Sequence, residues 1–168
     1  VMAQEETDYG RWQDKLLKNR FVCTAVREQL RDLHCVGVIH EDPEKRLLHI
    51  GVPFGVIVAL CPATSPVSTT IFKTLLAIKS GNAIIFSPHP RAGKCIRSAL
   101  DIMIKRAEQC GLPPGCLSYL HPVSKSGTVE LMNHTACPLI RTPDGPGRLN
   151  AAQAAGKPVI YGGTGNGP

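Results

Sequence analysis

Two proline-bounded stretches bring reactive side chains to the ends of apolar runs. Cys61-Pro-Ala-Thr64-Ser65-Pro66 supplies a thiol and two hydroxyls, and Ser87-Pro-His89-Pro90 supplies a hydroxyl and an imidazole. Helical patterns follow both. Thr64 and Ser65 either cap the helix that Pro66 opens or line a ligand site. Two prolines fix the turn around His89 in either case. Gly145 and Gly147 let a backbone come close to a ligand or simply make a tight turn. Gly163, Gly165 and Asn166 form a glycine-rich tail. With no helical pattern after it, that tail is not a dinucleotide fingerprint.

The seven cysteines stand at 23, 35, 61, 95, 110, 116 and 137. Their number is odd, no CxxC occurs and several lie in apolar surroundings, so a reduced, cytoplasmic protein is expected. Cys61 reads as a packing residue. His34, Cys35 and His40 do not make a persuasive metal set, and no metal is expected. The formal charge is +6. Its lysines and arginines are dispersed over helix faces, without the basic stripe or aromatic platform that nucleic acid needs. No apolar run reaches the roughly 18 residues of a membrane span.

The elements that must position these residues alternate. A helix is expected over 2–21, then short strands over 35–40 and 46–52. After Pro53 come strands at 55–60, 83–87, 116–120, 137–141 and 157–161. Helices at 67–79, 91–109, 125–133 and 148–155 separate them. On the helix after Pro66, Ile71, Leu75 and Ile78 form the expected apolar face, with Phe72 and Leu76 beside it. Gly81 should close that helix. Strand and helix in alternation imply an α/β fold, a Rossmann-like doubly wound parallel sheet preceded by an N-terminal helix and two short strands. The division expected is 1–52 for the leading helix and strands and 53–168 for the nucleotide-binding unit. With 43% hydrophobic and only 5% aromatic residues, the core must be aliphatic, as strands buried on both faces are. Ligands of such sheets bind at the carboxyl ends of the strands, where Thr64, Ser65, Ser87, His89, Gly145, Gly147 and Gly163–Asn166 would all lie.

Gly55-Val-Ile with Pro62-Ala-Thr-Ser-Pro66, Asn82-Ala-Ile-Ile-Phe-Ser-Pro-His-Pro-Arg-Ala92, Gly156-Lys-Pro158 and Gly163-Thr-Gly-Asn166 together resemble the CoA-acylating aldehyde dehydrogenases. That group includes the aldehyde dehydrogenase half of bifunctional aldehyde–alcohol dehydrogenases and enzymes of bacterial microcompartments. The resemblance runs over essentially the whole chain. It implies the reaction of an aldehyde, CoA and NAD⁺, or NADP⁺, to acyl-CoA and reduced cofactor. It further implies that Ser65 is an oxyanion donor and that Asn166 sits in an active-centre loop. Thr64, Ser87, His89, Gly145, Gly147, Gly163 and Gly165 become cofactor-binding residues. Three departures accompany it. None of the seven cysteines stands in the family's Ile-Cys-Ala-Ser-Glu-Gln type motif, which follows the Gly-x-Gly-Asn loop. Ser65 replaces an Asn, and Asp144 replaces a Gly. The expectation is therefore a cofactor-binding part that is inactive alone, self-associating or docked on a full-length homologue, in the cytoplasm or a microcompartment. A non-catalytic binding or assembly module derived from the same family is the alternative.

Overall fold

A computed structural model of the chain describes residues 9–143 and 146–162. Gly10, at φ 71°, precedes helix α1 (Trp12–Phe21). The helical rod does not stop at Phe21, as the sequence led us to expect. It continues through a π-helical turn (Val22–Val26) into α2 (Arg27–Arg31). Val22–Val26 shows no apolar helical period, because only Val22 of that turn is buried.

Strands β1 (Gly37–Asp42) and β2 (Leu47–Gly51) form an antiparallel hairpin. The turn between them carries Arg46 at φ 54° and an ion pair of Lys45 with Asp42 at 3.0 Å. Most of the hairpin is exposed, including Val38, Ile39, Leu47, Leu48 and Ile50. Its base is tight, since a Cβ on Gly51 would stand 2.2 Å from the Cys35 carbonyl oxygen.

The remaining elements run β3 (Val56–Leu60), α3 (Pro66–Lys79), β4 (Ala83–Ser87), a 3₁₀ turn (Pro90–Ala92), α4 (Gly93–Gln109), β5 (Leu117–Tyr119), α5 (Lys125–Asn133), β6 (Leu139–Thr142), α6 (Pro146–Ala154) and β7 (Val159–Tyr161). The five strands from β3 onward form one parallel sheet in the order β5-β4-β3-β6-β7. Both faces are covered. Ile57, Ala59, Ile84 and Phe86 pack with Ile96, Ala99 and Leu100 of α4 on one side. Val58, Leu60 and Ile140 pack with Met132 of α5 and Ala152 of α6 on the other. The chain builds outward from β3 to β5, then returns to place β6 on the opposite side of β3. That reversal opens a crevice at the carboxyl ends of the central strands.

Gly81, at φ 70°, ends α3 as expected. Its N–H donates to the Ile78 carbonyl, and Asn82 N–H donates to that of Ala77. The most buried face of α3 is not the expected apolar one. Thr70, Lys73, Thr74 and Ala77 are buried, whereas Ile78 is exposed. The stripe of Ile71 and Leu75 is only half-buried. Helix α3 lies between the sheet and the N-terminal helical rod, which contacts it along α1, the π turn and α2. Ile71 nevertheless packs against the core cluster of the sheet.

Candidate functional site

The loop after β3 turns at Ser65, whose φ of −143° and ψ of 61° place it at the N-cap of α3 with Pro66 at the first helical position. Its hydroxyl makes no capping bond. Pro66 has no N–H to offer, and it is the Ser65 carbonyl that accepts from Thr69 N–H at 3.2 Å. The Ser65 hydroxyl lies 3.3 Å from Thr69 Oγ1. The expected side-chain capping by Ser65 is therefore not made, and its carbonyl takes only the first intrahelical bond. Thr64 is exposed and Ser65 half-buried.

Beneath this loop, Cys61 is 1% exposed. Its Sγ lies 3.5 Å from Thr70 Oγ1, which donates its single proton to the Pro66 carbonyl at 2.8 Å. The thiol must therefore be the donor to Thr70. Burial pushes the Cys61 thiol up, outweighing the opposite pull of Lys73. A protonated, enclosed thiol is a packing group and not a nucleophile.

Strand β4 ends at Ser87, also buried. Thr128 donates to the Ser124 carbonyl at 2.8 Å, so the 2.8 Å contact between Ser87 and Thr128 has Ser87 as donor. The Ser87 oxygen keeps its acceptor capacity. Ser124 caps α5 by accepting from Gly127 N–H at 3.0 Å. Two residues on, His89 accepts from Arg91 N–H through Nδ1 at 3.2 Å, which leaves Nε2 to carry the proton of the neutral ring. Burial, with Arg148 and Arg91 nearby, lowers the His89 pKa and holds the ring neutral. Arg91 also donates to the Tyr9 hydroxyl and lies 4.8 Å over that ring.

These parts surround one cleft of about 830 Å³ at the carboxyl ends of β3 and β4. Thr64, Ser87, His89 and Gly147 all line it. Ser65 is next in the chain to that lining and is not part of it. Gly145, Gly163, Gly165 and Asn166, with Asp144, lie outside the described residues. Sequence reasoning missed Tyr9, Ser124, Lys125, Thr128 and Arg148, which also line it. Ser124 had a signal, a serine just ahead of a short helix. Arg148 had one too, a cation directly after Gly145-Pro-Gly147.

Comparison with known proteins agrees with this architecture. Residues 14–143 match the model of the aldehyde dehydrogenase family. The chain belongs to the aldehyde dehydrogenase family. This aldehyde dehydrogenase chain is 38% identical over 167 residues to the bifunctional aldehyde–alcohol dehydrogenase of Escherichia coli, covering 99% of its own length and 19% of that protein. It superposes on an acetylating aldehyde dehydrogenase from Geobacillus thermoglucosidasius with a TM-score of 0.89 at 43% identity, over 94% of this chain and 35% of that one. An engineered glycolyl-CoA reductase with bound NADP⁺ aligns at a TM-score of 0.80 and 28% identity, over 96% of this chain and 36% of that one. The chain thus spans about a fifth of the bifunctional relative's length.

Proposed function

We propose that this chain is the cofactor-binding part of a CoA-acylating aldehyde dehydrogenase, which converts an aldehyde, CoA and a nicotinamide cofactor to acyl-CoA and reduced cofactor. Residues 1–52 would be its leading segment and 53–168 its nucleotide-binding unit. One observation carries the reading: the loop ends of β3 and β4 and the start of α6 meet on a single cleft, through Thr64, Ser87, His89 and Gly147. The lining suits a dinucleotide. A Cβ built on Gly147 meets nothing within 4 Å, so that backbone is open to approach. Acceptor capacity at Ser87 and the Nε2–H of His89 are free to orient a ribose.

In this reading Thr64, Ser87, His89 and Gly147, with Gly145, Gly163 and Gly165, hold the cofactor. Ser65 donates to a developing oxyanion, with a shorter reach than an amide would have. Asn166 belongs to the active-centre loop. The nicotinamide, when bound, supplies a hydride acceptor. Cys61 does not serve as the sulfur nucleophile, because it is enclosed and protonated. An aldehyde and CoA are the small-molecule partners, and the chain acts by self-association or on a full-length homologue, in the cytoplasm or a microcompartment.

Calorimetric titration with NAD⁺ and a CoA-dependent assay of NADH formation test this together. Micromolar binding without turnover by the chain alone is expected. Turnover by this chain alone would overturn the reading of it as a cofactor-binding part that is inactive alone.

A further inference from the structure

The hairpin of β1 and β2 sets two histidines against each other. The sequence groups His40 with His34 and Cys35, but strand pairing puts it directly opposite His49. An irregularity between Val38 and His40 is what aligns the two. Val38 faces Ile50, and an unbroken ladder would then set Ile39 against His49 and His40 against Leu48. Ile39 is instead the extra residue of a bulge, a feature that re-aims side chains. The two rings stand 5.4 Å apart between centroids and are tilted by 54°. Both residues are exposed, and no residue of this hairpin lines the cleft.

A neutral imidazole presents one ring nitrogen to a metal ion. Metal–nitrogen bonds of ~2.0–2.1 Å, set ~90–110° apart, place two ring centres about 4.5–5.2 Å from each other. The 5.4 Å observed lies just beyond the tetrahedral end of that range, within reach of a small turn about the side-chain bonds. The nitrogens are available. Among the described residues neither ring takes part in a hydrogen bond or an ion pair, whereas Nδ1 of His89 and of His134 each accepts a backbone N–H. Asp42, two residues along β1, is already held by Lys45, through Nζ at 3.0 Å and through the backbone N–H at 3.1 Å. The hairpin therefore supplies two ligands without a third, and no group of three potential metal ligands occurs among the described residues. Imidazole suits zinc, nickel and copper, and not the hard ions calcium and magnesium.

We propose that His40 and His49 form an open two-imidazole site for a divalent first-row transition-metal ion of the zinc and nickel class. The ion bridges β1 and β2 and clamps the hairpin across its exposed face. Water fills its remaining positions, so it exchanges with the solution. The site stands apart from the cleft and does not depend on what the cleft binds.

The test is calorimetric titration of the full, untagged chain with Ni²⁺, after alkylation of its accessible thiols, Cys23 and Cys110 among them, to remove competing ligands. Micromolar binding is expected. Excess Zn²⁺ should displace the Ni²⁺, and millimolar Mg²⁺ should not. His40→Gln and His49→Gln, each checked for folding by circular dichroism, should each weaken the strongest site about tenfold or more, the advantage of a second ligand already in place. In the unsubstituted chain, paramagnetic Ni²⁺ should broaden the amide resonances of residues 39–41 and 48–50 before any others. Absence of binding below about millimolar Ni²⁺ would overturn the proposal. So would a strongest site that survives either substitution unchanged, or broadening centred on other histidines.

Discussion

Lys73 Nζ, on α3, donates to the Leu60 carbonyl at the end of β3 across 2.6 Å. The same ammonium reaches the Arg141 carbonyl on β6 at 3.2 Å. One buried cation therefore ties together the two strands that flank the crevice. Lys73→Met keeps the aliphatic stem and removes the donor. The expected loss is about 1–3 kcal/mol of stability, the cost of leaving buried carbonyls without their partner. Urea denaturation measures it, and an unchanged midpoint would mean that water replaces the ammonium.

Lys73 also shows where the sequence was legible and where it was not. The order of strands and helices and the clustering of Thr64, Ser87, His89 and Gly147 at one rim were readable, because turn residues and apolar runs mark element ends locally. The face of α3 was not. Ile71 and Leu75 make the stronger apolar stripe, yet Thr70, Lys73, Thr74 and Ala77 are the more buried. Periodicity identifies an apolar face and not which of two neighbours covers it. The extension of that rod through Val22–Val26 escaped for a related reason, since a π turn breaks the 3.6-residue period. Lys125 and Arg148 looked like ordinary solvated charges until α5 and α6 brought them to one cleft.

Gly51 is required by space and not by backbone angle. An added Cβ would stand 2.2 Å from the Cys35 carbonyl oxygen and 2.9 Å from its carbon. Gly51→Ala should push the hairpin off its base and cost roughly 1–3 kcal/mol. Gly147→Ala meets nothing within 4 Å and should leave stability nearly unchanged. Thermal denaturation of the two variants side by side checks the contrast.

Burial raises the pKa of the Cys61 thiol. Unfolded thiols ionise near about 8.5, so unfolding at higher pH releases a proton that the folded chain retains. The stability this group contributes is present below about 8.5 and is lost as pH rises from there through the folded pKa. The slope is at most about 1.4 kcal/mol per pH unit. Denaturation midpoints between pH 7 and 10 should fall, and Cys61→Ala should flatten that fall. Iodoacetamide at pH 8 should modify the exposed Cys23 and Cys110 before Cys61.

Asp144, outside the described residues, follows β6 and precedes Gly145-Pro-Gly147. The family resemblance implies that a carboxylate at this position opposes the cofactor's pyrophosphate. Asp144→Gly should tighten NAD⁺ binding several-fold, on the order of 1 kcal/mol. Equal or weaker binding by that variant would place the carboxylate away from the phosphates.

The most direct measurement of the nucleotide reading is amide hydrogen exchange of the chain with and without saturating NAD⁺ or NADP⁺. Protection is expected in the segments that carry the cleft walls, residues 60–64, 87–90, 123–129 and 147–151, with the hairpin of β1 and β2 unchanged. Protection confined to that hairpin, or none anywhere at millimolar nucleotide, would contradict it.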